Sequence, residues 1–500
     1  MKFYNYCLVI ILSSGCTTNF GVINTDPVNG STIAAGEQLT AAAYLLDGGR
    51  EMGYPNLYIF QPMVQYVGGT YGMRTGGKYV RDEFYNGLMW SNYYGKCIKQ
   101  LADLLKQHQD DSTQVNYVAA ARILKVYIFS LLTDAYGDIP YFQAGLAYYD
   151  KIYTPLYDEQ AAIYKDFFIE LEAAIDQFDD RQPVITNDIV YNGNLTKWKR
   201  MARSLQLRLA MRLSAADPEL ARAQVAAAYN GGVMQSNDDN FRMIHEDYSY
   251  PDLRGNGYAQ ALQEEAAYKY TIGTTTFVNY LKAENDPRLG MFFVNTDSVT
   301  NYLPIQPGLY WWEDWKDFVG ENGEVVGQAN KYCHINAPFY QQGGSWLHLG
   351  YAEVELLLAE AAVRGWIGED ANSHYQAGLR AAMHQLEMYP GMLPLPADEI
   401  DSFVAAHTLP ADHAIEAISM QKWVALFPNA YEAYANMRRT GYPELNPVLD
   451  VDGESETGGH LPKRLFYPAT EALSNPVNYQ AAIARIGGSN DWMQPVWWNK

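Results

Sequence analysis

The sequence predicts an all-α protein of tetratricopeptide-like helical pairs, with a loop-rich, irregular second half. Three observations lead to this fold class. Apolar residues recur at helical spacing through residues 35–235 and again through 347–440. The candidate helices follow one another in pairs joined by short loops, as in stacked helical hairpins. Between residues 236 and 346 the pattern breaks into short pieces rich in Gly, Asn and aromatic residues.

Residues 1–15 have the pattern of an export signal. Lys2 supplies a positive charge, Leu8–Leu12 form a short apolar core, and three small residues precede Cys16. The apolar run is far too short to cross a bilayer, so a signal peptide is favoured over a transmembrane helix. The sequence therefore predicts a lipoprotein signal peptide over residues 1–15, with Cys16 as the lipidated residue.

This N-terminal pattern departs from the usual lipoprotein signal at Ser13. A leucine normally stands three places before the cysteine, and here Leu12 lies one place too early. An ordinary secretory signal with a chance cysteine is therefore the alternative. The polar stretch that follows, residues 16–34, predicts an extended leader or tether.

Helical periodicity predicts nine helices after the leader. They cover residues 35–50, 83–108, 113–135, 157–178, 194–215, 350–366, 371–388, 411–427 and 430–438. The helix over 113–135 is apolar nearly all round and is expected to be central and buried. By contrast, Tyr54 to Tyr79 is rich in Gly, Tyr and Met and predicts a long ordered loop.

The chain after the signal is expected to form one domain, because no Gly-Ser or Pro-rich linker divides it. Within residues 16–500, the helical-pair half covers 35–235 and a loop-rich, ligand-facing region covers 236–346. Further helical pairs cover 347–440. An irregular, Pro-rich tail completes the domain over 441–500.

The net charge of −21 limits the classes of partner. Nucleic acids and anionic membrane surfaces both require a basic face, so neither is expected to bind this protein directly. Contact with a membrane is expected through the N-terminal lipid alone.

Two cysteines besides Cys16 remain after the signal, Cys97 and Cys333. They are too few for a disulfide framework or a zinc site. They could form one bridge, although a pair of buried free thiols is favoured. The histidines are scattered without metal-ligand spacing, and we find no nucleophile elbow, Walker loop or HExxH motif. No metal, no cofactor and no catalytic residue is therefore predicted.

Two clusters have the composition of a sugar-binding surface, because aromatic rings suit the C–H faces of sugars and polar groups suit their hydroxyls. One lies in the Gly-rich segment and the other outside any clear helix. They are Tyr66, Tyr71, Arg74 and Tyr79, and Tyr310, Trp311, Trp312 and Trp315. The alternative is that these aromatics pack in the irregular half of the protein or contact a partner.

Five segments, in this order, resemble those of one known family. They are the leader with Cys16 and Asn24-Thr25-Asp26-Pro27, the turn YGDIPY (136–141), the Arg-bearing helix 198–212, the segment YAEVELLLAEAAVRG (351–365), and 418–441 with its Arg438-Arg439-Thr440-Gly441. Together they resemble the SusD/RagB family, and more closely its SusD-like branch with shorter motifs.

This resemblance implies a non-enzymatic lipoprotein of the outer membrane that faces the cell surface. Such a protein captures an oligosaccharide, or sometimes a peptide, as the lid of a SusC-like TonB-dependent barrel. Two rivals stay open. One is a secreted glycan-degrading enzyme of the helical-toroid type, which needs only two carboxylates in a cleft. The other is a scaffold lipoprotein that binds only protein.

The charged residues of the motifs are expected to be structural. Glu353 and Glu360 are two helical turns apart, about 10.5 Å of rise, and are therefore a poor catalytic pair. Charged residues on helices are usually solvated or paired. We expect Glu360 to pair with an arginine, and we expect Arg208 and Arg212 to have a structural role as well.

Overall fold

Helices make up most of the described part of the chain, residues 33–295, 301–310, 332–450 and 452–499 of a computed structural model. The predicted signal peptide, Cys16, Trp311, Trp312 and Trp315 lie outside these residues. The α-helices are α1 (Ala35–Tyr44), α2 (Arg50–Tyr54), α3 (Gln61–Met63), α4 (Arg74–Lys78), α5 (Glu83–Asn92), α6 (Lys99–His108), α7 (Val115–Tyr136), α8 (Ala147–Asp150), α9 (Gln160–Gln177), α10 (Leu195–Arg212), α11 (Pro218–Gly231), α12 (Gly257–Gln263), α13 (Thr275–Ala283), α14 (Leu289–Phe292), α15 (Tyr351–Val363), α16 (Ala371–His384), α17 (Ala397–Ala406), α18 (Ala414–Ala425), α19 (Ala430–Thr440), α20 (Ala469–Ser474) and α21 (Pro476–Arg485).

The described strands are short. They are β1 (Val67–Gly68), β2 (Phe241–Ile244), β3 (Ile272–Gly273), β4 (Phe293–Val294), β5 (His334–Ile335) and β6 (Ser345–Leu349). Four of them form an antiparallel sheet in the order β1-β3-β5-β4, with Val67 opposite Gly273 and Phe293 opposite Ile335. The other two, β2 and β6, pair with each other, with Ile244 opposite Ser345.

The helices pack in pairs, as the sequence predicts. Helix α10 packs on α11, α15 on α16, and α18 on α19, while α7 lies between α6 and α9. The two halves of the helical part meet where α10 packs on α15. The prediction of an all-α, tetratricopeptide-like fold with an irregular second half is confirmed.

Helix α7 lies at the centre of the core. It is long and apolar enough to cross a membrane, but 83% of its most apolar stretch is buried inside the protein. Its side chains face neighbours on nearly every side, since Ala119, Ile123, Val126 and Leu132 are all fully buried. Its apolarity therefore reflects its central position, as predicted.

The prediction of a long loop from Tyr54 to Tyr79 is wrong, because most of this segment is helical and buried. The end of α2, a π-helical turn over Pro55–Phe60, α3, a 3-10 turn over Tyr71–Met73 and α4 fill it. Pro55 opens the π-helical turn and Pro62 lies in α3, so both stand inside one continuous helical run, where each removes a backbone donor. The apolar run Leu57–Phe60 enters the core.

Other helix boundaries also differ from those predicted. The expected helix 83–108 consists of α5, a π-helical turn over Tyr93–Ile98, and α6. Helices α11 and α17 were not predicted, and the tail carries α20 and α21. A sequence signal for α11 was present, since Asp217 caps its first turn and Pro218 follows.

A buried network of charges joins the segments that carry the family motifs. Arg208 of α10 binds Glu353 of α15 at 2.9 Å, and Lys422 of α18 lies 3.3 Å from the same carboxylate. Glu432 of α19 accepts from Lys422 at 3.0 Å and from Arg212 at 2.5 Å. Every member has a partner of opposite charge, which burial of a charge requires. These motif residues therefore hold helices together, as expected.

Both remaining cysteines, Cys97 and Cys333, are free and buried. Burial raises the pKa of both thiols, that of Cys333 to about 12. Both groups are therefore protonated and unreactive at neutral pH. Of the two alternatives, free thiols and not a bridge are found.

Candidate functional site

Tyr66, expected to contact a ligand, lies in the core. It has no exposed surface, and its hydroxyl donates to the carbonyl oxygen of Trp423. Its ring packs against Phe277, with 4.8 Å between ring centroids. The ring has no face open to a sugar, because it belongs to the buried segment that the sequence assigned to a loop.

Tyr79 and Tyr310 are also buried, each with 1% of its surface exposed. The ammonium nitrogen of Lys78 lies 4.7 Å from the centre of the Tyr310 ring, a cation–π contact. Arg74 forms an ion pair with Glu454 at 2.6 Å. The backbone of Tyr71 begins the 3-10 turn Tyr71–Met73.

The structure nevertheless places Tyr310 of the second predicted cluster beside the segment that carries the first. Gly69 forms a parallel bridge with Tyr310, and one cleft is lined from both sides, by Met73 and Arg74 and by Pro307. Tyr310, which directly precedes Trp311 in the sequence, therefore lies beside the Gly-rich segment. The tryptophans themselves lie outside the described residues.

A set of ion pairs fixes the Gly-rich segment to the C-terminal tail. Arg74, Lys78 and Arg81 each face an acidic residue there, and these acids stand at every second position. The pairs are Arg74–Glu454 at 2.6 Å, Lys78–Asp452 at 2.5 Å and Arg81–Glu456 at 3.8 Å. The pairing gives Arg74 and Lys78 a structural role in joining these two parts of the chain.

Two tyrosines that sequence reasoning missed are exposed on the loop after β2. Tyr248 and Tyr250 are 38% and 43% exposed. They lie in residues 245–256, here called the platform loop, which joins β2 to α12. The segment Tyr248-Ser249-Tyr250-Pro251 could have indicated them, because it lies inside the region predicted to face the ligand.

A guanidinium group lies over each of these two rings. Arg254 is 3.8 Å from the centroid of Tyr248, and Arg50 is 3.8 Å from that of Tyr250. Contacts of this length orient the rings and leave their remaining surface to solvent. We call Tyr248, Tyr250, Arg50 and Arg254 the aromatic platform.

Carboxylates surround the platform, and each is held by a partner. Glu264 accepts from Arg50 and from the hydroxyl of Tyr54. Glu246 accepts from Tyr44 at 3.1 Å and lies 3.7 Å from Arg254. Burial, followed by the hydrogen bond to Glu264, raises the pKa of Tyr54 well above its ordinary value. These acids can accept hydrogen bonds from ligand hydroxyls and also fix the arginines.

Aromatic contacts continue beyond the platform into the core. The guanidinium of Arg50 also lies 6.0 Å from the ring of Tyr54, which packs edge-on against Tyr85 at 5.8 Å. Phe84 contacts Tyr85 at 5.2 Å and is 59% exposed. The buried ring of Tyr54 and the half-buried ring of Tyr85 therefore connect the platform to the exposed Phe84.

Close backbone packing fixes the platform loop to the turn after α1. A Cβ atom at Gly48 would lie 1.9 Å from the carbonyl oxygen of Leu253, and one at Gly255 would lie 2.1 Å from that of Tyr248. Only glycine permits such an approach. The amide of Gly257 also donates to the carbonyl of Asp47 at 3.0 Å.

A separate apolar patch is formed by two distant segments. Its members are Tyr153, Leu156, Leu473 and Val477, which are 71%, 53%, 84% and 78% exposed. The side-chain amide of Asn475 donates to the carbonyl of Pro155 at 2.7 Å, so the two segments lie side by side. Contiguous exposed apolar side chains of this kind mark protein contact surfaces.

Within the described residues, no group of three or more His, Cys, Asp or Glu side chains could hold a metal ion. The geometry of the platform, with oriented rings flanked by donors and acceptors, suits recognition of a polar ligand that has apolar faces.

Comparison with known proteins identifies one family. Residues 30–468 match the SusD-like family profile described as starch-binding and associating with the outer membrane. No curated protein matches the chain.

Solved structures give the same result. A chitin-binding protein shares 35% identity and a TM-score of 0.85, over 93% of this chain and all of its own. A SusD-like protein from Bacteroidetes shares 30% identity and a TM-score of 0.84, over 94% of this chain and all of its own. A chitin-binding SusD homologue from Flavobacterium johnsoniae, 22% identical, has the same fold with a TM-score of 0.76, over 93% of this chain and 98% of its own.

Proposed function

This chain belongs to the SusD-like family, and we propose that it is a lipid-anchored receptor that binds an oligosaccharide and delivers it to a SusC-like TonB-dependent transporter. The family description, starch-binding and associating with the outer membrane, supports this function. So does the 35% identity to a chitin-binding protein.

The observation that carries the proposal is the pair of exposed tyrosines, each held by a guanidinium group. Tyr248 and Tyr250 offer rigid, partly apolar surfaces for the C–H faces of a sugar. Arg50, Arg254 and Glu246 stand beside them as partners for its hydroxyl groups. Two exposed rings on one loop suit a chain of sugars better than a single one, so the proposed ligand is an oligosaccharide.

Calorimetry with the protein from residue 17 onward tests this proposal, with chitohexaose and maltohexaose as probes. We expect saturable binding of at least one probe. Replacing both tyrosines, Tyr248→Ala with Tyr250→Ala, should weaken it roughly tenfold or more, since each ring contact contributes on the order of 1 kcal/mol. Tyr148→Ala is the matched control, because Tyr148 is 78% exposed and lies elsewhere. Equal effects of the control and the double variant would contradict the assignment.

Trp311, Trp312 and Trp315 are proposed as a second ligand contact. They follow directly on Tyr310, which is anchored beside the Gly-rich segment. Replacing all three by Ala should weaken binding of the same probe and leave the midpoint of thermal unfolding unchanged. A parallel loss of stability and binding would instead assign them to packing.

The proposed function includes binding without turnover. Three acids of the motif helices, Glu353, Glu360 and Glu432, are buried in ion pairs, and so are not placed to reach a glycosidic bond. Chromatography of each probe after prolonged incubation checks this point. Shortened products from the purified protein would favour the enzyme alternative.

Anchoring through Cys16 is proposed from the N-terminal sequence pattern. Cys16→Ala should release the protein from membranes, because the acyl chains are its expected attachment. The test fractionates cells that lack a partner barrel. Retention of the variant in the membrane fraction would refute lipidation at this position.

The apolar patch is the surface proposed to contact the barrel. Leu473→Glu with Val477→Glu places two charges in the patch and should abolish copurification with the barrel, while folding is unchanged. Leu393→Glu is the matched control, because Leu393 is 80% exposed at a different place. Undiminished copurification of the double variant would exclude this face.

A further inference from the structure

A buried histidine stands at the base of the platform loop. His245 follows β2, and its side chain has no exposed surface. Its Nδ1 atom lies 3.0 Å from the carbonyl oxygen of Arg254, at the far end of the loop. Its Nε2 atom lies 3.0 Å from Oδ2 of Asp47, in the turn after α1. One side chain thus joins both ends of the loop to the body of the protein.

Both ring nitrogens of His245 face acceptors. A carbonyl oxygen can only accept, so Nδ1 must carry a hydrogen. Asp47 is an acceptor when ionised, so Nε2 must carry a hydrogen as well. Only the imidazolium form donates from both nitrogens. The geometry therefore favours a charged His245 paired with an ionised Asp47.

The surroundings of this pair include other titratable groups. His348 of β6 lies 3.7 Å from Asp47, and the Nδ1 atom of His348 is hydrogen-bonded to the hydroxyl of Tyr127 of α7. The other groups are Tyr44 of α1, Glu246 and Arg254 of the loop, and Tyr93, Cys97 and Tyr431 on the other side of Asp47. Burial alone would lower the pKa of His245, but Asp47 outweighs it and the pKa is raised above 6.5. Burial would raise the pKa of Asp47, and the two histidines lower it.

We propose that His245 and Asp47 are positioning residues whose buried imidazolium–carboxylate pair keeps the platform loop docked, so that the aromatic platform is formed only while His245 is charged. This inference rests on the proposed function for its consequence, which is glycan affinity that depends on pH. Docking of the platform loop requires no ligand and can be tested without one.

The direction of the pH dependence follows from linkage. The pKa of His245 is raised in the docked state, so its contribution to docking is complete below about pH 6.5. That contribution is lost as the pH rises from there through the raised value. Deprotonation leaves the lone pair of Nε2 facing the buried Asp47 carboxylate, which favours release of the loop.

Hydrogen exchange of residues 246–256 tests the proposal without any ligand. After correction for the intrinsic rate, protection in the wild type should fall at least threefold between about pH 6 and pH 9. Asp47→Asn should remove most of this fall, because the amide of Asn can donate to a neutral His245 that still donates to Arg254. His384→Gln is the matched control and should behave as wild type, since His384 is exposed and pairs with Glu387.

Two results would overturn the proposal: protection of the wild-type loop that does not change with pH, or an equal fall in Asp47→Asn. The wild-type measurement decides even if the variant fails to fold. Calorimetry with chitohexaose and maltohexaose over the same pH range is run in parallel. Absence of binding at every pH would refute the proposed function. The hydrogen-exchange result would still show whether docking of the loop depends on pH.

Discussion

Arg439 and Glu360 form a double ion pair in the core, although 79 residues separate them in the sequence. Both nitrogen–oxygen distances are 2.6 Å, and the two side chains are 2% and 1% exposed. Arg364 adds a second guanidinium 2.8 Å from the same carboxylate. The pair joins α19 to α15, so the charged residues of two motifs stabilise the contact between these helices.

Replacing Arg439 by Gln should lower the free energy of unfolding by about 3–5 kcal/mol, because Glu360 would keep a buried charge with one partner fewer. Arg380→Gln is the matched control, since Arg380 and Asp401 are 46% and 64% exposed. An exposed pair contributes about 0–1 kcal/mol. Urea denaturation measures both changes. Equal losses of free energy of unfolding in the two variants would contradict a structural role for the buried pair.

Acid should lower the free energy of unfolding because it protonates Glu360. Burial alone would raise the pKa of this carboxyl, but Arg439 and Arg364 outweigh burial and lower it to about 2 from the ordinary 4.5. Its contribution, about 3 kcal/mol, is therefore present above pH 4.5 and is lost as the pH falls towards 2. Denaturation between about pH 5 and pH 3 should show a shallower pH dependence in Glu360→Gln. Identical slopes in the variant and the wild type would refute this account.

Much of the helical framework can be predicted from the sequence because it depends on local periodicity. Helix α7 is apolar nearly all round and is buried nearly all round. A structural role for the motif charges could be predicted from the sequence, but the residues that pair with them could not. Arg208 meets Glu353 across 145 positions, and periodicity carries no information about such distant contacts.

The candidate site was harder to predict for the same reason. Composition singled out Tyr66 and Tyr79, yet composition alone does not distinguish a buried aromatic from an exposed one. Tyr248 and Tyr250 are ordinary in sequence. Their exposure depends on Gly48, which lets the platform loop dock so closely, and on Gly255, which lets the loop fold tightly on itself. It also depends on Arg50, which reaches Tyr250 from another segment.

Arg50→Leu should weaken glycan binding about two- to fivefold. The variant removes the guanidinium that orients Tyr250, a contact that contributes roughly 0.5–1 kcal/mol at an exposed site. It also releases Glu264, whose carboxylate pairs with Arg50. Calorimetry with the probe that binds measures the change. Arg181→Leu is the control, since Arg181 is 84% exposed and pairs locally with Asp179; a loss in the control as large as that in Arg50→Leu would contradict the role of Arg50.

Gly76→Ala should be strongly destabilising, because this glycine allows the Gly-rich segment to pack on the core. A Cβ atom there would lie 2.1 Å from the carbonyl oxygen of Ile59, a backbone atom that cannot move without displacing the π-helical turn. Gly87→Ala is the matched control, since nothing lies within 4 Å of its Cβ position in α5. Alanine in that helix should stabilise the protein by about 0.5–1 kcal/mol. Opposite shifts in the midpoint of thermal unfolding are therefore expected, and a neutral Gly76→Ala would mean that the segment packs less closely than the structure shows.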